Sequence, residues 1–327
     1  MLMAQHRLMR FGFAALAAVL AIASPALAQE QLSIATAGTG GVYYPLGGGL
    51  AGVINQHVDG YAATAEVTGG SVENMGLIAR GDADLAIALG DTVYQARNGT
   101  GRFEGQRLAM ISGLASLYMN MVQIVTLTDS GITTLSGLKG KRVSVGAPGS
   151  GTEVNAKAIL AANGLSYDDI DEQRLNFNET ADALANGDID VGFWSVAAPT
   201  SAILNLATTQ SIRMIELSND EIAATRAADP IFAQTTLAGG TYTGVEEDVR
   251  VLGIPNVLVV SAEMPDDLAY TITRALFEQL GELSAIHPAA NQTTVAFTLD
   301  SMPVPLHPGA ARYYLEIGAA VPEHLLP

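Results

Sequence analysis

Cysteine is absent from the 327 residues, which excludes disulfides, thiolate metal sites, a cysteine nucleophile and the acylated cysteine of a lipoprotein. Lysine is scarce: Lys139, Lys141 and Lys157 are the only three, and they form no basic run. With 33 acidic against 16 basic residues and a formal net charge of −17, nucleic acid and anionic lipid are not expected as partners. The five histidines, His6, His57, His287, His307 and His324, are scattered without metal-ligand spacing, so neither a metal nor another cofactor is expected. Long apolar runs are also missing. Residues 11–23 form an apolar stretch of 13, short of the roughly 20 that a spanning helix needs. Arg7 and Arg10 precede it and Ala26-Leu27-Ala28 follows, the pattern of a secretory signal peptide cleaved after Ala28. A soluble periplasmic chain starting near Gln29 is expected, its net charge −19 once those two arginines leave.

What is present is an internal pseudo-repeat. Leu32-Ser33-Ile34-Ala35-Thr36-Ala37 alternates like a strand and runs through Gly38-Thr39-Gly40-Gly41 into a helical pattern at Leu46, Leu50, Val53 and Ile54. Val143-Ser144-Val145 likewise runs through a Gly-rich stretch, Gly146 to Thr152, into a helix carrying Val154, Ala158 and Ile159. Both copies continue through a second strand and helix to one signature, Gly81-Asp82-Ala83-Asp84 and Gly187-Asp188-Ile189-Asp190. Two strand-helix-strand-helix-strand units predict an α/β chain of two parallel-sheet lobes, with ligands outside the carboxyl ends of the strands. Apolar β-like runs at residues 118–127 and 249–261 predict two crossings between the lobes, a double-stranded hinge beside a cleft. The boundaries follow: residues 29–122 with 255–327 for lobe I, and 123–254 for lobe II. A helix from Pro265-Asp266-Asp267 to His287-Pro288 is predicted to bury Leu268, Ile272, Leu276, Leu280 and Leu283 on one face.

Each Gly-rich turn opens a helix, whose first amides lack partners and carry a partial positive charge suited to a carboxylate or phosphate. Gly146 to Thr152 resembles a phosphate loop, yet Glu153 follows Gly151-Thr152 and the phosphate-binding lysine is missing, which disfavours nucleotides. Ser150 also fits a helix cap, with Glu153 completing a capping box. Gly47, Gly48 and Gly49 inside the first helix imply close approach of a ligand or of a neighbouring strand. The Asp pairs of the repeat fit turns better than acid-base dyads. Ser136-Gly-Leu-Lys139 has the S-x-x-K spacing without its companion motifs, so no catalytic residue is assigned and the chain is not expected to be an enzyme. Aromatic residues gather at the strand ends, where Tyr43, Tyr44, Tyr94, Phe193 and Trp194 can wall a pocket.

Four segments in order carry a resemblance: Gly38-Thr39-Gly40-Gly41-Val42-Tyr43-Tyr44-Pro45-Leu46-Gly47, Gly70-Ser71-Val72-Glu73-Asn74, the run from Gly140 through Gly146-Ala147-Pro148-Gly149-Ser150-Gly151-Thr152, and Pro305-Leu306-His307-Pro308-Gly309-Ala310. Together they resemble the TAXI family of TRAP transporter solute receptors. That resemblance implies a two-lobed type II periplasmic-binding-protein fold, a small carboxylate ligand such as glutamate, glutamine or 2-oxoglutarate, and a TRAP membrane partner, fused or separate. By matching position it implies binding loops carrying Thr39, Gly40, Tyr43 and Tyr44; Ser71 and Asn74; Asp91 and Tyr94; and Ser150, Gly151, Thr152 and Glu153. Trp194 joins them from the aromatic reading. A monomer is expected. The alternative is a receptor of the same kind serving a membrane sensor or an ABC transporter.

Overall fold

A computed structural model describes residues 29–327; the expected signal peptide lies outside the described residues. The first repeat folds as β1 (Glu30–Ala35), α1 (Tyr43–His57), β2 (Tyr61–Glu66), α2 (Ser71–Arg80) and β3 (Leu85–Leu89). After α3 (Gly90–Asn98) and β4 (Ile111–Leu127), the second repeat gives β5 (Arg142–Ser144), α4 (Gly151–Ala162), β6 (Asp171–Gln173), α5 (Phe177–Asn186) and β7 (Val191–Val196). There follow α6 (Ser201–Thr209), β8 (Ile212–Met214), α7 (Asn219–Ala228), β9 (Ala233–Leu237) and β10 (Val249–Ser261), then α8 (Asp266–Glu278), α9 (Leu280–Ile286), α10 (Val295–Ser301) and α11 (Pro308–Glu316).

The repeat is visible in the strand order β2-β1-β3-β10-β4-β7-β5-β6. Each unit places its first strand in the middle of a parallel triplet, β2-β1-β3 and β6-β5-β7. Between the triplets, β4 and β10 run antiparallel and each belongs to both sides. Residues 111–121 of β4 pair with β10, whereas residues 121–126 pair with β7. Residues 256–260 of β10 pair with β3, and residues 249–253 with β9. The crossing carries Pro255, which has no N–H for the ladder, and the register shifts between Asn256 and Val257. Two half-sheets joined by two long strands form the two-lobed arrangement expected from the repeat. β10 has the anticipated bounds, while β4 begins at Ile111, seven residues before the apolar run read as its start.

The shared Gly-Asp-x-Asp signature has one structural job in both halves. Gly81 (φ 70°) and Gly187 (φ 75°) end α2 and α5 in the left-handed conformation that glycine adopts without a Cβ penalty. Asp84 Oδ2 then accepts the Ser33 amide and Asp190 Oδ2 the Arg142 amide, each at 2.8 Å, locking the last strand of the unit onto its first. Gly47 and Gly49 are packing glycines: a Cβ on Gly47 would lie 2.4 Å from Thr36 Cγ2, and one on Gly49 would lie 2.3 Å from Ile286 Cδ1. The helix read as one element after Pro265 is two, α8 and α9, broken at Gln279 (φ −112°, ψ 23°) next to the weak helix former Gly281. Leu268, Ile272, Leu276 and Leu283 are buried as expected, with Leu280 partly so. No helix among the described residues is long and apolar enough to cross a membrane.

Candidate ligand-binding cleft

The two half-sheets meet over a cavity of about 420 Å³ at the carboxyl ends of their strands. From the first half come Val42 and Tyr43 where α1 begins, Thr68, Gly69, Gly70 and Ser71 where α2 begins, and Leu89. The second half contributes Pro148, Ser150, Gly151 and Thr152 at the start of α4, Asn176, Phe177 and Glu179 at the start of α5, and Ser195 and Val196 at the end of β7. Four helix N-termini therefore open on one space, two from each repeat, and the positive ends of their dipoles converge there.

The amides at these N-termini are not all available. Val72 and Glu73 of α2 donate to the Gly149 carbonyl across the cleft, at 3.0 and 3.1 Å. That pairing spends two amides of α2 on the opposite half, where they are not free for an anion. At α5 a capping box satisfies the turn: Asn176 Oδ1 accepts the amides of Asn178 and Glu179, and Glu179 Oε2 accepts that of Asn176. At α4 the Ser150 Oγ accepts the Glu153 amide at 3.1 Å and caps the helix, but the expected capping box is not completed, because the Ser150 amide donates to the Ala147 carbonyl at 3.1 Å and the Glu153 carboxylate turns to Arg174. The amides of Gly151 and Thr152 begin that helix and have no carbonyl four residues back within it.

Hydroxyl groups complete the polar wall. Ser150 accepts one N–H as noted, and Thr152 Oγ1 accepts the Ser195 amide at 3.4 Å; each keeps its O–H to donate. Ser195 is 5 % exposed and its Oγ has no partner among the described residues, an arrangement that buried hydroxyls rarely adopt unless something else fills the role. Tyr43, also in the wall, donates its hydroxyl to Asn256 Oδ1 in β10, and burial holds its pKa well above the ordinary phenol range. Asn256 also accepts from Asn120 Nδ2 (3.0 Å) and donates to the Tyr118 carbonyl (3.1 Å), tying the floor of the cleft to the two crossing strands.

Of the residues singled out from the sequence, Tyr43, Ser71, Ser150, Gly151 and Thr152 line the cavity. The other eight lie off its wall. Thr39 and Tyr44 are exposed, and the Gly40 carbonyl accepts Thr200 Oγ1 and Ser201 Oγ, at 3.0 and 3.1 Å, from the start of α6. Asn74 is fully buried and its Nδ2 donates to the carbonyls of Thr36 (2.7 Å) and Ile87 (2.9 Å), fastening α2 to β1 and β3. Tyr94 points to solvent. Glu153 pairs with Arg174 at 2.9 Å. Trp194 is fully buried beside Phe177, with ring centroids 6.4 Å apart, behind the wall. Ser195, Phe177 and Glu179 are wall residues that the sequence reading passed over. Two signals pointed to them: Ser195 is a single hydroxyl in the otherwise apolar strand Val191-Gly192-Phe193-Trp194-Ser195-Val196, and the β6–α5 turn is the repeat equivalent of the β2–α2 turn that holds Ser71.

Asp91 crosses the cleft. It is buried at the start of α3, and its Oδ2 accepts Asn155 Nδ2 of α4 at 2.7 Å. Burial pushes its pKa up to about 7, against lowering hydrogen bonds from Thr92 and Asn155, with Asp229 adding repulsion. An unfolded chain releases this proton near pH 4, so the folded form holds one more proton between pH 4 and about 7. Stability therefore falls as pH rises through that window and levels off above it. Asp91→Asn keeps the hydrogen bond without the charge. It is expected to flatten the dependence and to be more stable at pH 8 by roughly 2–4 kcal/mol, as urea unfolding at pH 5 and pH 8 checks; a variant less stable than the parent at pH 8 contradicts the assignment.

The NMT1-like family model matches residues 34–318. Among solved structures, a Listeria monocytogenes protein named as an L-cystine ABC transporter superposes with a TM-score of 0.51 at 13 % identity, covering 81 % of this chain and 98 % of its own. A Xanthomonas citri protein bound to ATP gives 0.51 at 13 % identity over 88 % of this chain and 99 % of its own. At these identities the likeness establishes the fold, that of two-lobed periplasmic binding proteins.

Proposed function

The chain belongs to the NMT1-like family, and from that premise and the geometry of the cleft we propose that it is a periplasmic solute receptor that closes on a small carboxylate. One observation carries this reading. Helix N-termini from both repeats open on one cavity between the half-sheets, and its wall includes Ser195, whose buried hydroxyl has no partner among the described residues. Lobe I comprises residues 29–122 with 255–327, lobe II residues 123–254, and closure bends β4 and β10 where their pairing partners change, at Met121 and between Gly253 and Asn256. A ligand touching both lobes has more contacts when they are together, and its differential affinity drives closure. Bonds already crossing the cleft, from Val72 and Glu73 to Gly149 and from Asn155 to Asp91, belong to the closed form.

The membrane partner in this reading is of the TRAP type, driven by an ion gradient, because the TAXI-like segments run through the cleft itself at Tyr43, Ser71 and Ser150 to Thr152. A second reading, delivery to an ABC transporter, has the Listeria monocytogenes neighbour in its favour. Two experiments apply. A carboxylate at 100 times its Kd is expected to stabilise the protein by about 2.7 kcal/mol; a thermal-shift panel of acidic amino acids, keto acids and simple carboxylates in which none raises Tm contradicts the ligand class. Uptake in vesicles carrying the cognate membrane subunits separates the partners. Transport should stop when the ion gradient is collapsed, and transport that survives collapse but requires internal ATP overturns the TRAP assignment.

A further inference from the structure

We infer that the cleft selects a carboxylate bearing a single negative charge and an apolar body, and rejects dicarboxylates. The inference rests on the carboxylate reading above and narrows it. Among the described residues, the cavity wall has no lysine, arginine or histidine, and its one acidic side chain is Glu179. The donors that can receive an anion are all neutral: the hydroxyls of Ser71, Ser150, Thr152 and Ser195, the Asn176 side-chain amide and the first amides of α4. Most of them gather where β5 and β7 end, and none carries a charge that would balance a second carboxylate. Much of the remaining wall is apolar, built by Val42, Val67, Leu89, Phe177 and Val196 from both half-sheets.

A second carboxylate on the same small ligand has nowhere favourable to go. Against the apolar side chains it is desolvated without a hydrogen bond, and near Glu179 it meets a like charge with no cation between them. Hydrophobic contact rewards the opposite choice, a methyl-terminated chain. Glu179 is thereby assigned a role in specificity beyond its capping bond to the Asn176 amide at 2.8 Å. Ser195 is the hydroxyl whose missing partner the ligand's carboxylate supplies.

Matched pairs that differ only at the far end test this: 2-oxopentanoate against 2-oxoglutarate, and pentanoate against glutarate, titrated calorimetrically into the purified protein. The monocarboxylate of each pair is expected to bind tighter by about tenfold or more. Glu179→Gln, whose amide oxygen can still accept the Asn176 amide, is expected to reduce that preference about tenfold by strengthening dicarboxylate binding, with an unchanged unfolding midpoint. Ser195→Ala should weaken both members of a pair alike. Dicarboxylates binding as well as or better than their partners overturn the inference while leaving the carboxylate reading standing. Four flat titrations overturn both.

Discussion

Gly69→Ala is expected to weaken ligand binding by about 5- to 150-fold, the equivalent of the 1–3 kcal/mol that an overpacked contact costs, while leaving the unliganded protein nearly as stable as the parent. A Cβ on Gly69 would lie 2.7 Å from the Pro148 carbonyl oxygen and 2.7 Å from Glu73 Oε2. The Glu73 carboxylate can swing away. Pro148 is backbone on the opposite side of the cleft, so the contact is relieved only by separating the half-sheets. Gly69 does not need a positive φ, so alanine costs it little in an open form. Small-angle scattering on the variant at saturating ligand should report a more extended particle than the parent. Parental affinity together with a parental scattering profile contradicts the closure mechanism.

Asn256→Ala is expected to cost about 3 kcal/mol of stability. The side chain is fully buried in β10 and makes three hydrogen bonds, to Tyr43, Asn120 and the Tyr118 carbonyl. Its removal leaves the Tyr43 hydroxyl without an acceptor in a buried place, where an unmade bond carries the full desolvation cost. Because Tyr43 lines the cavity, binding is expected to fall as well. Urea unfolding with an unchanged m-value measures the loss, and a difference under about 1 kcal/mol shows that the network is dispensable.

The fold was largely legible because its signals are local. Alternation at residues 32–37, glycine-led turns and the paired Gly-Asp-x-Asp signatures are read within a few positions, and the repeat doubled each of them. The break at Gln279 was hidden because apolar spacing continues through it from Leu276 to Leu283; periodicity reports a buried face, not an unbroken helix. The cleft was legible in outline for the same reason as the fold: the strand-to-helix turns bearing Tyr43, Ser71 and Ser150 were conspicuous. What each group does there was not. Nothing near Val72 or Glu73 in the chain announces that their amides meet Gly149, because that contact is set by how the half-sheets come together. Asn256 lay in plain view within an apolar run, and its partners Tyr43 and Asn120 are distant in sequence. Thr39, Tyr44 and Tyr94 stand beside wall residues in the sequence, yet Thr39 lies exposed in the turn before α1 and helix geometry turns Tyr44 and Tyr94 to solvent.

A crystal structure of the protein with a bound monocarboxylate tests the closed-cleft receptor most directly. The expected result is one ligand in the cavity between the half-sheets, its carboxylate within hydrogen-bond distance of Ser195 Oγ and the Gly151 or Thr152 amide, its apolar end against Phe177 and Leu89, and the Val72–Gly149 and Asp91–Asn155 bonds intact. A ligand seated elsewhere, or a liganded protein with those cross-cleft bonds broken, contradicts it.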